Sequence, residues 1–91
     1  MNFKIVYHPL VVHEDIPKLS LEWKTKIQKA IEERLTTHPE TYGKSLRRSL
    51  KGFRKLRVGD YRVIFLLEKA TVKIVVIHHR SVVYDRINKR I

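Results

Sequence analysis

Between Lys44 and Phe65 the chain reads KSLRRSLKGFRKLRVGDYRVIF, and the side chains able to do chemistry crowd into it. Lys44, Arg47, Arg48, Lys51, Arg54, Lys55, Arg57 and Arg62 face a single acid there, Asp60. A guanidinium such as that of Arg62 suits two phosphoryl oxygens at once, whereas an ammonium such as that of Lys55 acts as a point charge. Further on, His78 and His79 supply groups that titrate nearest neutral pH, and Arg80 and Tyr84 follow them. Metal-free cleavage of RNA needs a base for the 2′-hydroxyl, positive charge on the phosphoryl oxygens and an acid for the leaving 5′-oxygen. Arginine, lysine, histidine and tyrosine cover those needs if folding gathers them. Charges on a disordered tail bind a polyanion but hold no single phosphate in a reactive geometry, so the elements beneath these residues matter.

GFRKLRV and YRVIF are rich in β-branched and aromatic residues, and Gly59-Asp60 between them is a turn signal. The expectation is a tight hairpin. Alternation puts Arg62 on the parity of Ile64 and Leu66, at the rim of an apolar face, and groups Lys55 and Arg57 with Phe53. Thr71 to His78, reached through a turn near Lys69-Ala70, is apolar on both faces and reads as a central strand. Strict alternation sends His78 with Ile74 and Val76, and His79 with Val75 and Ile77, so at most one imidazole joins the site. His79 is preferred, since it stands beside Arg80 where the strand ends.

Upstream, Asn2 to His8 alternates as a short strand, and Pro9 ends it while suiting the first turn of a helix. Leu10 to Ile16 is expected as that helix, with Leu10, Val11 and Val12 near one side and Pro17 interrupting it. Ser20 is a good N-cap for the next helix, whose stripe is Trp23, Ile27, Ala30, Ile31 and Leu35 and whose end is His38-Pro39. Ser81 to Ile91 reads as a short helix with Val83, Ile87 and Ile91 on one side. The order implies an α+β fold: a small antiparallel sheet of the N-terminal strand plus a three-strand meander, two helices packed on one face, and a short C-terminal helix.

Ninety-one residues, spanning 1–91, make one domain, and a hydrophobic share of 43% is that of a globular chain. With no cysteine there is no disulfide, thiolate nucleophile or Cys-based zinc site, and the chain reads as cytoplasmic. His8, His13 and His38 lack metal-ligand spacing, so neither a metal nor another cofactor is expected. Gly43, Gly52 and Gly59 read as turns rather than a phosphate loop. The N-terminus has no signal-peptide core, and no long uncharged apolar run suggests a membrane span. A net charge of +11 calls for a polyanionic or acidic partner, with nucleic acid ahead of an acidic protein. Lys44, Arg47, Arg48 and Lys51 are expected to position such a partner through phosphate contacts.

At GFRKLRVGDYRVIF followed by IHHRSVVY, the sequence resembles the RelE/ParE superfamily of toxins from type II toxin–antitoxin modules. The likeness spans the opening strand ending in His8-Pro9, the helical pair, the basic loop YGKSLRRSLKG, the hairpin and the closing His-Arg-x-x-x-Tyr. It implies a small α+β toxin silenced by a cognate antitoxin. The RelE branch cuts mRNA on the ribosome, while the ParE branch poisons DNA gyrase without nuclease chemistry. On the RelE pattern, Arg62 takes the place of a phosphate-gripping arginine and Lys55 that of an RNA-anchoring lysine. Phe53 stands where the prototype has another lysine, which favours Lys55 as a phosphate clamp over a base. His79 would be the acid or base, and Tyr84 would stack on a base or pack the terminal helix. Arg54, Arg57 and Arg80 join the loop cations in binding RNA. The favoured expectation is a ribosome-dependent mRNA endoribonuclease; the alternatives are a gyrase inhibitor and an inactive antitoxin-binding relic.

Overall fold

The computed structural model describes residues 2–42, 44, 45 and 52–91. Its sheet has the order β1-β5-β4-β3-β2, with β1 at Lys4–Tyr7, β2 at Lys44–Ser45, β3 at Phe53–Val58, β4 at Tyr61–Glu68 and β5 at Thr71–His79. The hairpin and meander form as the alternation implies, turning at Gly59-Asp60 and at Lys69-Ala70. β1 joins β5 in parallel, Lys4 opposite Thr71 and Tyr7 opposite Ile74, so the sheet is mixed rather than wholly antiparallel. A parallel partner needs a long connection, and the helical segment together with β2, β3 and β4 lies between β1 and β5.

That helical segment starts where Pro9 removes a backbone donor. His8 caps the turn: its Nδ1 accepts from the Leu10 N–H at 3.0 Å and its carbonyl from Val11. One π-helical turn, Val11–Asp15, and one 3₁₀ turn, Ile16–Lys18, replace the single helix expected here, and Pro17 sits in the opening of the tighter turn. Of Leu10, Val11 and Val12 only Val11 is buried, because a π turn spaces side chains differently from an α-helix. Helix α1, Leu21–Ala30, has its expected cap, the Ser20 hydroxyl accepting from the Trp23 N–H at 3.3 Å, and runs on through a wider turn at Ile31–Leu35. Its stripe of Ile27, Ala30, Ile31 and Leu35 is buried, and Trp23 is half-buried. A short α2, Pro39–Tyr42, follows.

Two apolar layers result. On one face of the sheet, Leu56, Val63, Phe65, Val72, Ile74 and Ile77 pack against the helical segment, α1 included. On the other, Ile64, Val75 and Val76 pack under Val83 and Ile87 of α3, Val83–Arg90, with Phe53 at the margin. Ile91, expected on the buried side of that helix, is exposed beyond its last turn. The partition of β5 comes from a register shift at Ile64/Phe65: Val76 lies opposite Ile64 and Ile74 opposite Phe65, leaving Val75 as an extra residue.

β1 has four residues and β5 nine, so the second half of β5 has no strand beside it on that edge. Side chains complete the edge. The buried Asp15 carboxylate accepts from the Ile77 N–H at 2.9 Å, and Arg90 Nη1 donates to the Val75 carbonyl at 2.9 Å. The two meet as a paired fork at 2.7 and 3.1 Å, with side chains 0% and 2% exposed. Removing one member leaves a buried charge alone, which typically costs about 3–5 kcal/mol. Asp15→Asn is therefore expected to destabilise the fold by about 3 kcal/mol in urea titration; a loss near zero would show that the pair is dispensable. Gly59 has φ +60°, and a Cβ there would lie 2.5 Å from Trp23 Cη2. Gly59→Ala should thus cost at least the roughly 1–2 kcal/mol of a left-handed non-glycine residue in the same titration.

Candidate functional site

The face of the sheet beneath α3 carries the cations. Cross-strand pairing sets Arg57 opposite Arg62 and Arg62 opposite His78, and sets Lys55 opposite Ile64 in the next row. Like charges directly opposite one another destabilise a sheet, so the Arg57–Arg62 pairing carries a cost. Arg62 is 8% exposed, and its Nη1 donates to the carbonyls of Gly59 at 2.8 Å and Tyr61 at 2.9 Å. Among the described residues no carboxylate pairs with it. The hairpin turn therefore orients this guanidinium by dipoles alone and leaves its charge uncompensated, the condition in which a bound phosphate is favoured.

Lys55 and Tyr84 meet although they come from β3 and α3. Lys55 Nζ donates to the Tyr84 hydroxyl oxygen at 2.9 Å and lies 5.6 Å from the ring centroid. Because that oxygen accepts from the ammonium, the phenolic hydrogen remains to be given elsewhere.

The histidines divide between the two faces. His79 lies opposite Tyr61, its ring edge-on to the tyrosine at 5.6 Å, and its Nδ1 is engaged by the Ser81 hydroxyl and N–H. Tyr61 packs with the α1 layer, so the expected grouping of His79 with Lys55, Arg62 and Tyr84 does not form. The imidazole on their face is His78. Its Nε2 lies 3.3 Å from Asp15 Oδ1, with the side chain 14% exposed. Burial pushes the His78 pKa down, and Arg86, Lys18 and Arg90 add to that, while Asp15 opposes it.

Of the other cations, Arg80 is exposed beside Asp60 at 3.9 Å, and Arg54 lies on the α1 side opposite Phe65. Lys44 pairs through β2 with Lys55. Its side chain lies outside the described residues, as do Arg47, Arg48 and Lys51.

A sequence model described as the ParE toxin of the type II toxin–antitoxin system parDE matches residues 4–84. The chain belongs to the ParE toxin family. Among solved structures, the RelBE2 toxin–antitoxin complex of Mycobacterium tuberculosis contains a similar chain at 26% identity and TM-score 0.82, covering 88% of this chain and 100% of that one. YafQ of E. coli (16% identity, TM-score 0.56, 87% and 94% covered) shares the fold. So does a chain of the Staphylococcus aureus YoeB–YefM complex (16%, 0.59, 87% and 98%). No curated protein sequence matches.

Sequence reasoning missed two residues that shape this ParE-family site, Asp15 and Arg90. The one available signal for Asp15 was its place four residues after Val11 and directly before Ile16, in PLVVHEDIPKL. Because its pKa is lowered in the fold, His78 binds its proton more readily in the unfolded chain. Its contribution therefore works against the fold as pH drops below the ordinary histidine value and levels off below the lowered one. Thermal melts from pH 8 to pH 5 should show stability falling on acidification, with a shallower slope in His78→Gln; identical slopes would contradict this assignment.

Proposed function

We propose that this toxin is an endoribonuclease that cuts ribosome-bound mRNA in the cytoplasm and is silenced by a cognate antitoxin. The observation carrying the reading is the 2.9 Å contact between Lys55 Nζ and the Tyr84 hydroxyl, on the same sheet face as Arg62. In this reading Arg62 grips the phosphoryl oxygens and Lys55 adds charge beside them. The 2′-oxygen attacks phosphorus and the bond to the 5′-oxygen breaks, giving a cyclic 2′,3′-phosphate and a free 5′-hydroxyl. Tyr84 gives its hydrogen to the leaving oxygen and is reprotonated from the Lys55 ammonium. The 2′-hydroxyl proton goes to His78, whose lowered pKa leaves it uncharged at neutral pH. His79, on the far face, takes no part. The antitoxin follows from family membership and from the +11 charge, which an acidic segment complements; RelBE2 and YoeB–YefM are themselves such complexes.

Loss of a positioned acid commonly costs about 10²–10⁴ in rate. Incubated with ribosomes bearing mRNA, Tyr84→Phe should fall by about that factor and Lys55→Met comparably, with both still folded. Equal cleavage by wild type and variants, or none by wild type, would overturn the proposal. A second reading, a non-catalytic inhibitor of DNA gyrase, is favoured by the separation of His79 from the cations and by the carbonyls already occupying Arg62 Nη1. Inhibition of gyrase supercoiling that survives Tyr84→Phe would select it.

A further inference from the structure

A second charged surface lies where the end of the hairpin meets α1. A groove of about 440 Å³ runs between α1 with its continuation and the end of β3, lined by Lys26, Lys29, Arg34, Arg57 and one acid, Glu33. Lys26 pairs with Glu22 at 2.9 Å and Lys29 with Glu33 at 4.0 Å, both as exposed i,i+4 pairs. Such pairs are worth under about 1 kcal/mol and give way to a stronger anion. The groove also reaches Gly59, and Gly59 is where the Trp23 ring rests. From Trp23 the rings continue as a ladder, with Tyr61 at 4.7 Å and His79 a further 5.6 Å on, all three half-buried. Lys26 Nζ, a groove residue, sits 5.0 Å over the Trp23 ring.

We propose that this groove and ladder form a separate binding surface for single-stranded nucleic acid, with phosphates tracking the cations and a base stacking on the rings. Cations beside partly exposed aromatic faces are what a single strand requires, and stacking tolerates any base. An acidic protein is the weaker fit, because Ala30 and Val58 are the groove's apolar side chains and offer little to anchor a partner. Arg57 stands where this groove meets the Lys55 face, but Lys26 and Lys29 are on α1 and belong to the groove alone, so a test made on those two does not depend on the nuclease reading.

Trp23 is the chain's one tryptophan, so its fluorescence reports the ladder directly. The probe is a fully 2′-O-methylated single-stranded oligoribonucleotide, which a 2′-hydroxyl mechanism leaves intact. It should quench Trp23 in the full chain, with affinity falling linearly in log salt. Lys26→Ala with Lys29→Ala, both at exposed helical positions that tolerate alanine, should lower the slope by about 0.7 for each phosphate no longer neutralised. Lys55→Met with Tyr84→Phe should leave quench and slope unchanged, whether or not the protein cleaves RNA. No quench would overturn the proposal. So would a slope that responds to the Lys55–Tyr84 variant and not to the helix variant, placing the strand on the other face. Equal quenching by poly-glutamate would assign the surface to an acidic protein instead.

Discussion

The pairing of Asp15 with Arg90 is the constraint on which the rest of this fold depends. A strand interior to a sheet needs partners on both edges, and β1 stops at Tyr7, opposite Ile74. Beyond that point the β5 backbone would be buried with unpaired groups, each costing about 1–3 kcal/mol. One carboxylate and one guanidinium take the place of the missing strand: Asp15 meets the Ile77 N–H and Arg90 meets the Val75 carbonyl. The same contact ties the turn after β1 to the end of α3. It therefore holds the helix that brings Tyr84 to Lys55.

The bulge at Val75 has the next largest consequence. With one extra residue in β5, Ile74 and Ile77 fall in the same layer, while Val75 and Val76 fall in the other. The residues after it inherit that partition. His78 goes under α3 with Asp15, and His79 goes to the aromatic ladder with Tyr61 and Trp23. Two adjacent imidazoles thus serve two unrelated environments, one buried beside a carboxylate and one at a surface of rings.

Charge is distributed unevenly across this framework. Arg90 is neutralised inside the protein, whereas Arg62 is cradled by carbonyls with no described carboxylate beside it and lies directly opposite Arg57. Uncompensated cations on paired backbone lower the stability of the isolated fold and raise its affinity for phosphate or carboxylate partners.

Much of the molecule was legible in the chain itself. The hairpin at Gly59-Asp60, the Ser20 cap, the α1 stripe and the apolar β5 follow from local propensity and periodicity, which neighbouring residues decide. So do the placing of Arg62 with Ile64 and the grouping of Lys55 with Arg57, since alternation along an unbulged strand is local too. The parallel seat of β1, the π turn at Val11–Asp15, the roles of Asp15 and Arg90, and which of the two histidines shares the face of Arg62 were not. Each depends on which backbone groups a distant element leaves unpaired. That is a question of sheet edges and registers, and only the assembled tertiary structure answers it.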